Sequence, residues 1–564
     1  MHPSRPLSRR LPFLTWPRPD AQLLRSEVFA GLSVGLMVIP QGVAYAALAG
    51  MPLITGIYAS LLPALVAVLF SASTRLSVGP TALTAMLVSA SLTGMATPGS
   101  AEWVHLAVWL SLLTGVLQIA LGFARFGWLL NLVSSPVLTA FTQGAAVIII
   151  SSQLPALLGM TQGWASLAEP GSVSLPSLVF GLASLALLLV TRRLKPTFPT
   201  VLVVVLGAAA LSWALGLQAR QVPVVGALPQ GLPALYLPHG LDWDSLKQLM
   251  LPTLVITLVS FLETASSAKV DNERKGQRWD QDQDLIGQGL GKLASGLCGA
   301  FPTSSSFSRS ALNLYAGAQT GWATVISVGV ILLALLLFTP VLHHVPQSVL
   351  SAIVVAAVLG LLRPRALLRL WRINRVEGGI ALLTLAITLV SAPRLYWGVL
   401  AGVVMGLSYF LHTRLHPRII EVGLHPDGSL RDRHLWQLPP LAPRLYALRM
   451  DAELDFAAAS GLERAITEHL SRHPAVRHVC LFAQPINRID VTGVETFAQV
   501  RRQLGAHGIT LHISGIKLPV ETALRRAGEL PESPLLRLYR TDAEALQALR
   551  ALEPLPHDMA AAAI

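Results

Sequence analysis

The chain has 564 residues, of which 53% are hydrophobic and only 13% charged, and its mean hydropathy is +0.58. That composition excludes a soluble protein of several domains and describes a polytopic membrane protein. The formal net charge of +12 does not mark a nucleic-acid binder, because most basic residues fall in short loops between apolar runs, where they set topology.

Met1 to Arg25 is rich in Pro and Arg and has no apolar core of its own, so residues 1–25 read as a cytoplasmic leader and not as a cleavable signal peptide. From Val28 onward, segments apolar enough to cross or half-cross a hydrocarbon core ~30 Å thick fall near 28–47, 53–71, 79–95, 103–122, 134–158, 173–191, 199–216, 246–268, 284–299, 307–318, 322–339, 347–362, 377–391 and 395–412. About fourteen segments put both termini on one side of the bilayer. Arg75, Arg125, Arg192, Arg193, Lys195, Arg274, Lys275, Arg278, Arg363, Arg365, Arg369, Arg372 and Arg375 share the side of the basic N-terminus, whereas the other side has little beyond Arg220 and Arg394. Positive loops stay inside, which makes both termini cytoplasmic. The longest external connection, Leu217 to Asp244, carries the turn-rich V-G-A-L-P-Q-G-L-P and divides the segments seven and seven. An odd number per half forces the second half to run inverted, giving repeats of about 26–216 and 245–413 within a transport domain of 26–415.

Two stretches interrupt this oily pattern. One is Ser77 to Thr84, S-V-G-P-T-A-L-T; the other is Ala300 to Asn313, A-F-P-T-S-S-S-F-S-R-S-A-L-N. Each suits a broken element followed by a helix start, which presents unpaired N–H groups and the positive end of a dipole. Arg309 lies between apolar segments, where an ionised side chain costs a few kcal/mol or more. In an inverted repeat the third and tenth segments enter from opposite faces, so their N-terminal ends can meet at the midplane. Two helix ends of roughly +0.5 charge each and one guanidinium that does not titrate suit a divalent oxyanion. Thr81, Ser308 and Ser310 are candidate hydroxyl ligands; Ser304 to Ser306 serve equally well as local caps. Glu263, in the apolar F-L-E-T-A, is as hard to explain as Arg309 unless it has a role. We expect Glu263 and Arg309 to neutralise each other in the anion-free state, and anion binding to favour protonation of the glutamate by like-charge repulsion. The glycines Gly287, Gly289, Gly291, Gly296 and Gly299 follow no strand and read as close helix contacts, not as a dinucleotide fingerprint. Cys298 and Cys480 lie far apart, one in an apolar run and one in the tail, so no disulfide is expected. Beyond Arg418 the composition is that of a soluble domain. Pro439, Pro440 and Pro443 punctuate a linker (416–443), and strands near Leu445 to Met450, His478 to Ala483 and Ile509 to Ser514 alternate with helices near 457–471, 493–506 and 518–528. This is a small α/β domain, 444–553, followed by a short tail, 554–564.

The stretch I-P-Q-G-V-A-Y-A-A-L-A-G-M-P-L-I-T-G-I-Y-A-S-L-L-P from Ile39 to Pro63 resembles the sulfate permease (SulP) family, the relatives of pendrin and prestin. So do S-T-R-L-S-V-G-P-T-A from Ser73 to Ala82, F-L-E-T-A-S-S-A-K from Phe261 to Lys269, and S-F-S-R-S-A-L-N. The tail, with D-F-A-A-A-S-G-L-E-R and I-D-V-T-G-V, is similar to the STAS domain of those proteins. The resemblance implies a seven-plus-seven inverted repeat divided into core and gate domains, an elevator-like movement of the core, a homodimer, and residence in a bacterial inner membrane. It places an anion pocket on Gln41, Tyr45, Gly79, Pro80, Thr81, Phe307, Ser308 and Arg309, with Glu263 at the acidic position of proton-coupled members. Lys292 departs from the family pattern; snorkelling to the interface is the favoured reading, and a place beside the pocket would upset the charge balance by one unit. Asp490 and Thr492 in D-V-T-G match a phosphorylatable loop of STAS proteins, although the same residues make a good helix N-cap. No metal cluster, cofactor motif or nucleophile–base pair emerges. The expected activity is proton-coupled uptake of sulfate. Exchange or uptake of bicarbonate, a dicarboxylate or chloride by the same pocket, and an anion sensor signalling through the STAS domain to an unknown partner, stay open.

Overall fold

The computed structural model describes residues 11–552 except 161–163, 165–172, 195–198, 217–221, 230, 277 and 338. The start of the leader, the 554–564 tail, Lys195 and Arg220 therefore lie outside the described residues. The chain forms two compact units, Met1–Gly406 and Leu407–Ile564.

Among the described residues the helical segments that match the expected crossings fall into two sets of seven, with the short helices Thr339–Leu342 and Pro364–Ile373 between members of the second set. The first set is Ala21–Leu48, Thr55–Tyr58 continued by Leu62–Phe70, Ala82–Leu92, Ala101–Phe123, Ser135–Leu157, Leu175–Leu194 and Thr200–Ala214. The second is Trp243–Lys275, Gln281–Leu297, Phe307–Tyr315, Trp322–Leu337, Gln347–Leu359, Arg375–Val390 and Tyr396–Leu415. We call these the first to fourteenth spans. The third and tenth have only 11 and 9 residues. At 1.5 Å per residue each covers about half of a ~30 Å core. Each is preceded by a two-residue strand, β1 (Val78–Gly79) and β2 (Ser304–Ser305), and these two strands pair with each other.

Glycine governs the packing of the ninth span. Gly289 meets Gly115 of the fourth span so closely that a Cβ on Gly289 would lie 2.7 Å from the Gly115 carbonyl oxygen, and one on Gly115 would lie 2.8 Å from that of Gly289. A Cβ on Gly291 would come within 3.1 Å of the Pro63 carbonyl oxygen of the second span. The close-contact reading of these glycines therefore agrees with the geometry. Glu27, fully buried near the start of the first span, clamps the start of the eleventh. Its Oε1 accepts from the backbone N–H groups of Gln319 (2.9 Å) and Thr320 (2.8 Å), and its Oε2 accepts from that of Ala323 (2.7 Å). A carboxylate at a helix N-terminus answers both the orphan donors and the dipole.

The basic stretch read as a loop around Arg363 to Arg375 is instead a helix, Pro364–Ile373. Pro364 suits a first helical position, and Arg365, Arg369 and Arg372 recur at helical spacing.

The second unit is a six-stranded sheet in the order β4-β3-β5-β6-β7-β8. Its strands are β3 (Ile419–Leu424), β4 (Leu430–Asp432), β5 (Leu445–Met450), β6 (His478–Phe482), β7 (Thr510–Ser514) and β8 (Leu536–Tyr539). The last four run parallel, and β3 adds antiparallel to the β5 edge. The span 416–443 is thus more than a linker: it carries two strands that cover an edge of the sheet. Edge pairing satisfies backbone groups that the prolines alone could not. Helices Ala459–Arg472, Val491–Ala506 and Leu518–Arg526 match the expected alternation. The core is built from the inward faces of β5, β6 and β7, including Leu448, Leu481 and Ile513.

Candidate functional site

Two broken helices meet where β1 and β2 cross. Val78 lies opposite Ser305 and Gly79 opposite Ser304, and the Ser306 N–H donates to the Ser77 carbonyl at 3.0 Å. Thr81 caps the third span, its Oγ1 accepting from the Thr84 N–H at 3.2 Å. Ser306 caps the tenth in the same way toward Arg309 N. Both helices therefore start at the ladder, and their positive ends face a common region.

Arg309 is fully buried. Its Nη1 donates to the Pro80 carbonyl at 2.9 Å and lies 3.5 Å from Gln41 Oε1, and its Nε donates to Ser77 Oγ at 3.3 Å. The guanidinium of the second half is thus held by the broken helix of the first. Nη2 has no hydrogen-bond partner among the described residues. A buried guanidinium nitrogen without an acceptor is costly. Gly79 lies next to it: a Cβ there would come 3.3 Å from Nη2, so the absence of a side chain keeps the approach open.

Gln41 and Tyr45 of the first span are buried beside the guanidinium. Phe307 and Ser308, on the first turn of the tenth span, are exposed, and Ser308 Oγ lies 3.3 Å from Ser306 Oγ. Ser310 Oγ accepts from the Ser77 N–H at 3.0 Å and ties the tenth span to the segment that leads into the third. Among the serines of 304–306, Ser304 Oγ donates to the Ser260 carbonyl at 3.2 Å, and Ser305 Oγ accepts from Gln288 Nε2 at 3.1 Å.

Glu263 of the eighth span reaches the start of the third, with the hydroxyls of Thr81 and Thr84 at 3.2 and 3.3 Å from its Oε2. It is not ion-paired with Arg309, which corrects the expected mutual neutralisation. The carboxylate is held by helix-start hydroxyls and the guanidinium by Pro80 and Ser77, so each is placed by its own anchors. The snorkelling expected of Lys292 is likewise corrected. This side chain is fully buried, its Nζ donating to Gln118 Oε1 at 2.9 Å. Thr84 and Gln118 are not among the residues expected from the sequence: a hydroxyl three residues after a capping threonine is the signal for the first, and nothing in sequence spacing links Gln118 to the pocket.

In the second unit Asp490 caps the helix Val491–Ala506, its Oδ1 accepting from the Gly493 N–H at 2.8 Å and its Oδ2 from the Phe456 N–H at 2.9 Å. Thr492 is exposed on the first turn. Cys298 and Cys480 are free and buried.

Residues 24–384 match the sulfate permease family, and residues 440–545 match the STAS domain. A probable sulfate transporter of Mycobacterium tuberculosis (strain ATCC 25618 / H37Rv) is 32% identical, over 93% of this chain and 95% of its own. Probable sulfate transporter 4.2 of Arabidopsis thaliana is 32% identical, over 90% of this chain and 78% of its own. Among solved structures, that of SLC26A9 superposes with a TM-score of 0.85 at 19% identity, covering 97% of this chain and 94% of the other. The transmembrane domain of a cyanobacterial bicarbonate transporter, BicA, gives a TM-score of 0.59 at 19% identity, over 69% of this chain and 99% of the other.

Proposed function

The chain belongs to the sulfate permease family, and on that premise we propose that it is a secondary active transporter that takes up an inorganic oxyanion, sulfate first, together with protons. The observation that carries this reading is the unpartnered Nη2 of buried Arg309, lying where two helix N-termini converge. A tetrahedral dianion there gains a charge-assisted hydrogen bond from the guanidinium, backbone N–H donors from two helix starts, and two favourable dipole ends. Gln41, Tyr45, Thr81 and Ser308 complete its surroundings, and Gly79 and Pro80 shape the approach. Glu263 is the proton carrier: it shares Thr81 with the anion site, so a bound anion and an ionised carboxylate repel each other and a proton relieves the repulsion.

Transport follows an elevator-type movement in which the spans holding the pocket travel past the rest, in a homodimer. Both termini face the cytoplasm of a bacterial cell, in keeping with the basic loops. The Asp490–Thr492 turn supports a regulatory phosphorylation, because a phosphate on Thr492 would sit at a helix start.

The test is uptake into proteoliposomes of labelled sulfate, bicarbonate, chloride and fumarate, each with and without a pH gradient. We expect sulfate uptake stimulated by external acid, and Glu263→Gln to keep sulfate binding while flattening that stimulation. Steep acid stimulation surviving in Glu263→Gln would remove the glutamate from the coupling step, and failure of sulfate to accumulate under any gradient would remove the substrate.

A further inference from the structure

A second buried cation, which neither the family match nor the anion site itself accounts for, lies behind the pocket. Lys292 is, with Arg309, among the largest fully buried side chains of the protein. A polar chain joins it to the pocket. Lys292 Nζ donates to Gln118 Oε1 at 2.9 Å, and Gln118 Nε2 donates to Ser260 Oγ at 3.1 Å and to the Thr257 carbonyl at 3.2 Å. Ser304, the β2 residue opposite Gly79, donates to the Ser260 carbonyl. Lys292 is thus held inside the body that holds the anion, not at the interface. Among the described residues, the charged and titratable side chains that interact electrostatically with Glu263 include Lys292 from the ninth span, Arg309 from the tenth and Tyr45 from the first. The other groups around the carboxylate are the hydroxyls of Thr81, Thr84 and Ser304.

We propose that Lys292 sets the valence of the anion the pocket accepts and ties a proton to the divalent one. The proposal rests on the reading of Arg309 as the anion-binding group. With Lys292 and Arg309 protonated and Glu263 ionised, the site carries a single formal positive charge, which a monovalent anion cancels with no proton. A divalent anion overshoots by one unit, and protonation of Glu263 restores neutrality. The proton moves from bulk water to the Glu263 carboxylate and no other bond changes. Without Lys292 every count falls by one: a monovalent anion then calls for the proton, and a dianion is left uncompensated even with it. Charge matching carries weight here because Lys292 and Arg309 are fully buried and Glu263 is half-buried, and charges interact more strongly there than at the surface.

The experiment uses the full chain in nanodiscs in weakly buffered solution at neutral pH. Sulfate or chloride is titrated in, with binding and proton uptake from a pH indicator read together. The wild type is expected to take up one proton per sulfate and none per chloride. In Lys292→Met, the ratio of sulfate to chloride affinity is expected to fall roughly tenfold or more, and chloride binding to acquire proton uptake. Lys292→Arg should keep the wild-type pattern. Gln118→Glu places an acid against Nζ and should reproduce the Lys292→Met pattern with the lysine still present, so it decides the matter if Lys292→Met does not fold. An unchanged affinity ratio and proton count in a folded Lys292→Met or Gln118→Glu overturns the proposal. Arg309→Met separates the two readings: if it abolishes sulfate binding while Lys292→Met changes nothing, only the valence assignment fails, and if it binds sulfate like the wild type, the pocket itself is misplaced.

Discussion

Replacing Arg309 with Lys tests the pocket most sharply, because the substitution keeps the charge and removes the geometry. The guanidinium uses Nη1 on the Pro80 carbonyl at 2.9 Å and Nε on Ser77 Oγ at 3.3 Å, which leaves Nη2 free for the ligand. A lysine ammonium is a point charge whose three N–H donors share one nitrogen, so it cannot span the Pro80 and Ser77 anchors while reaching the ligand as the guanidinium fork does. It therefore forfeits at least one charge-assisted hydrogen bond, worth about 1.5–3 kcal/mol, which corresponds to sulfate binding weaker by roughly 10- to 150-fold. Arg309→Met should remove binding altogether. The assay is calorimetric titration of sulfate into the purified full chain, with thermal melting alongside. A wild-type protein at 100 times its Kd should gain about 2.7 kcal/mol of apparent stability from the ligand, and Arg309→Met should gain none. Sulfate affinity in Arg309→Lys within threefold of wild type would refute the argument that Nη2 is the ligand donor.

Glu27→Ala strips the start of the eleventh span of four carboxylate contacts, three from backbone N–H groups and one from the Thr320 hydroxyl, and leaves backbone N–H groups unsatisfied, at a cost of about 1–3 kcal/mol; a lower melting temperature with sulfate affinity unchanged is the expected outcome. Gly289→Leu forces apart the fourth and ninth spans, whose backbones approach so closely that even a Cβ meets a carbonyl at 2.7 Å. Folded yield should drop severely, whereas Gly207→Leu, at a position with open space around it, should be tolerated. In the STAS unit, His512 is buried between His478 Nδ1 and the Tyr539 hydroxyl, each at 3.1 Å, and burial holds its pKa down to about 4. An unfolded histidine takes up its proton near pH 6.5, as model peptides do. The folded sheet should therefore keep its full stability above about pH 6.5 and lose it progressively toward pH 4. Hydrogen exchange of β6 to β8 in the full chain should speed up over that window in the wild type and not in His512→Gln.

The broad plan could be read from the sequence because hydrophobic run lengths and the two Gly/Pro/Ser interruptions are local signals. Twelve of the fourteen segments agree with the observed bounds within about three residues, whereas the first span starts seven residues earlier, at Ala21, and the eighth runs seven residues further, to Lys275. The helix Pro364–Ile373 was not seen because its arginines look like loop charge until they are placed on a helical wheel. Strands β3 and β4 were missed because pairing to the β5 edge is a long-range fact, and prolines at 439, 440 and 443 dominate the local pattern. At the site, the residues themselves stood out by being polar in an apolar setting, but their partners did not. That Glu263 binds the Thr81–Thr84 hydroxyls and not Arg309, and that Lys292 turns inward to Gln118, depend on how five spans pack together. The spacing of residues within one span does not encode it.

The two-residue ladder between β1 and β2 makes the pocket a joint product of the two repeats, since one repeat donates the arginine and the other the carbonyl that holds it. Neither half of the chain is then able to recognise an anion by itself. A polypeptide severed between Ala214 and Trp243 should regain sulfate binding only when both fragments are made in the same cell, and fragment complementation of this kind would mark the crossing as the seam along which the transporter was joined.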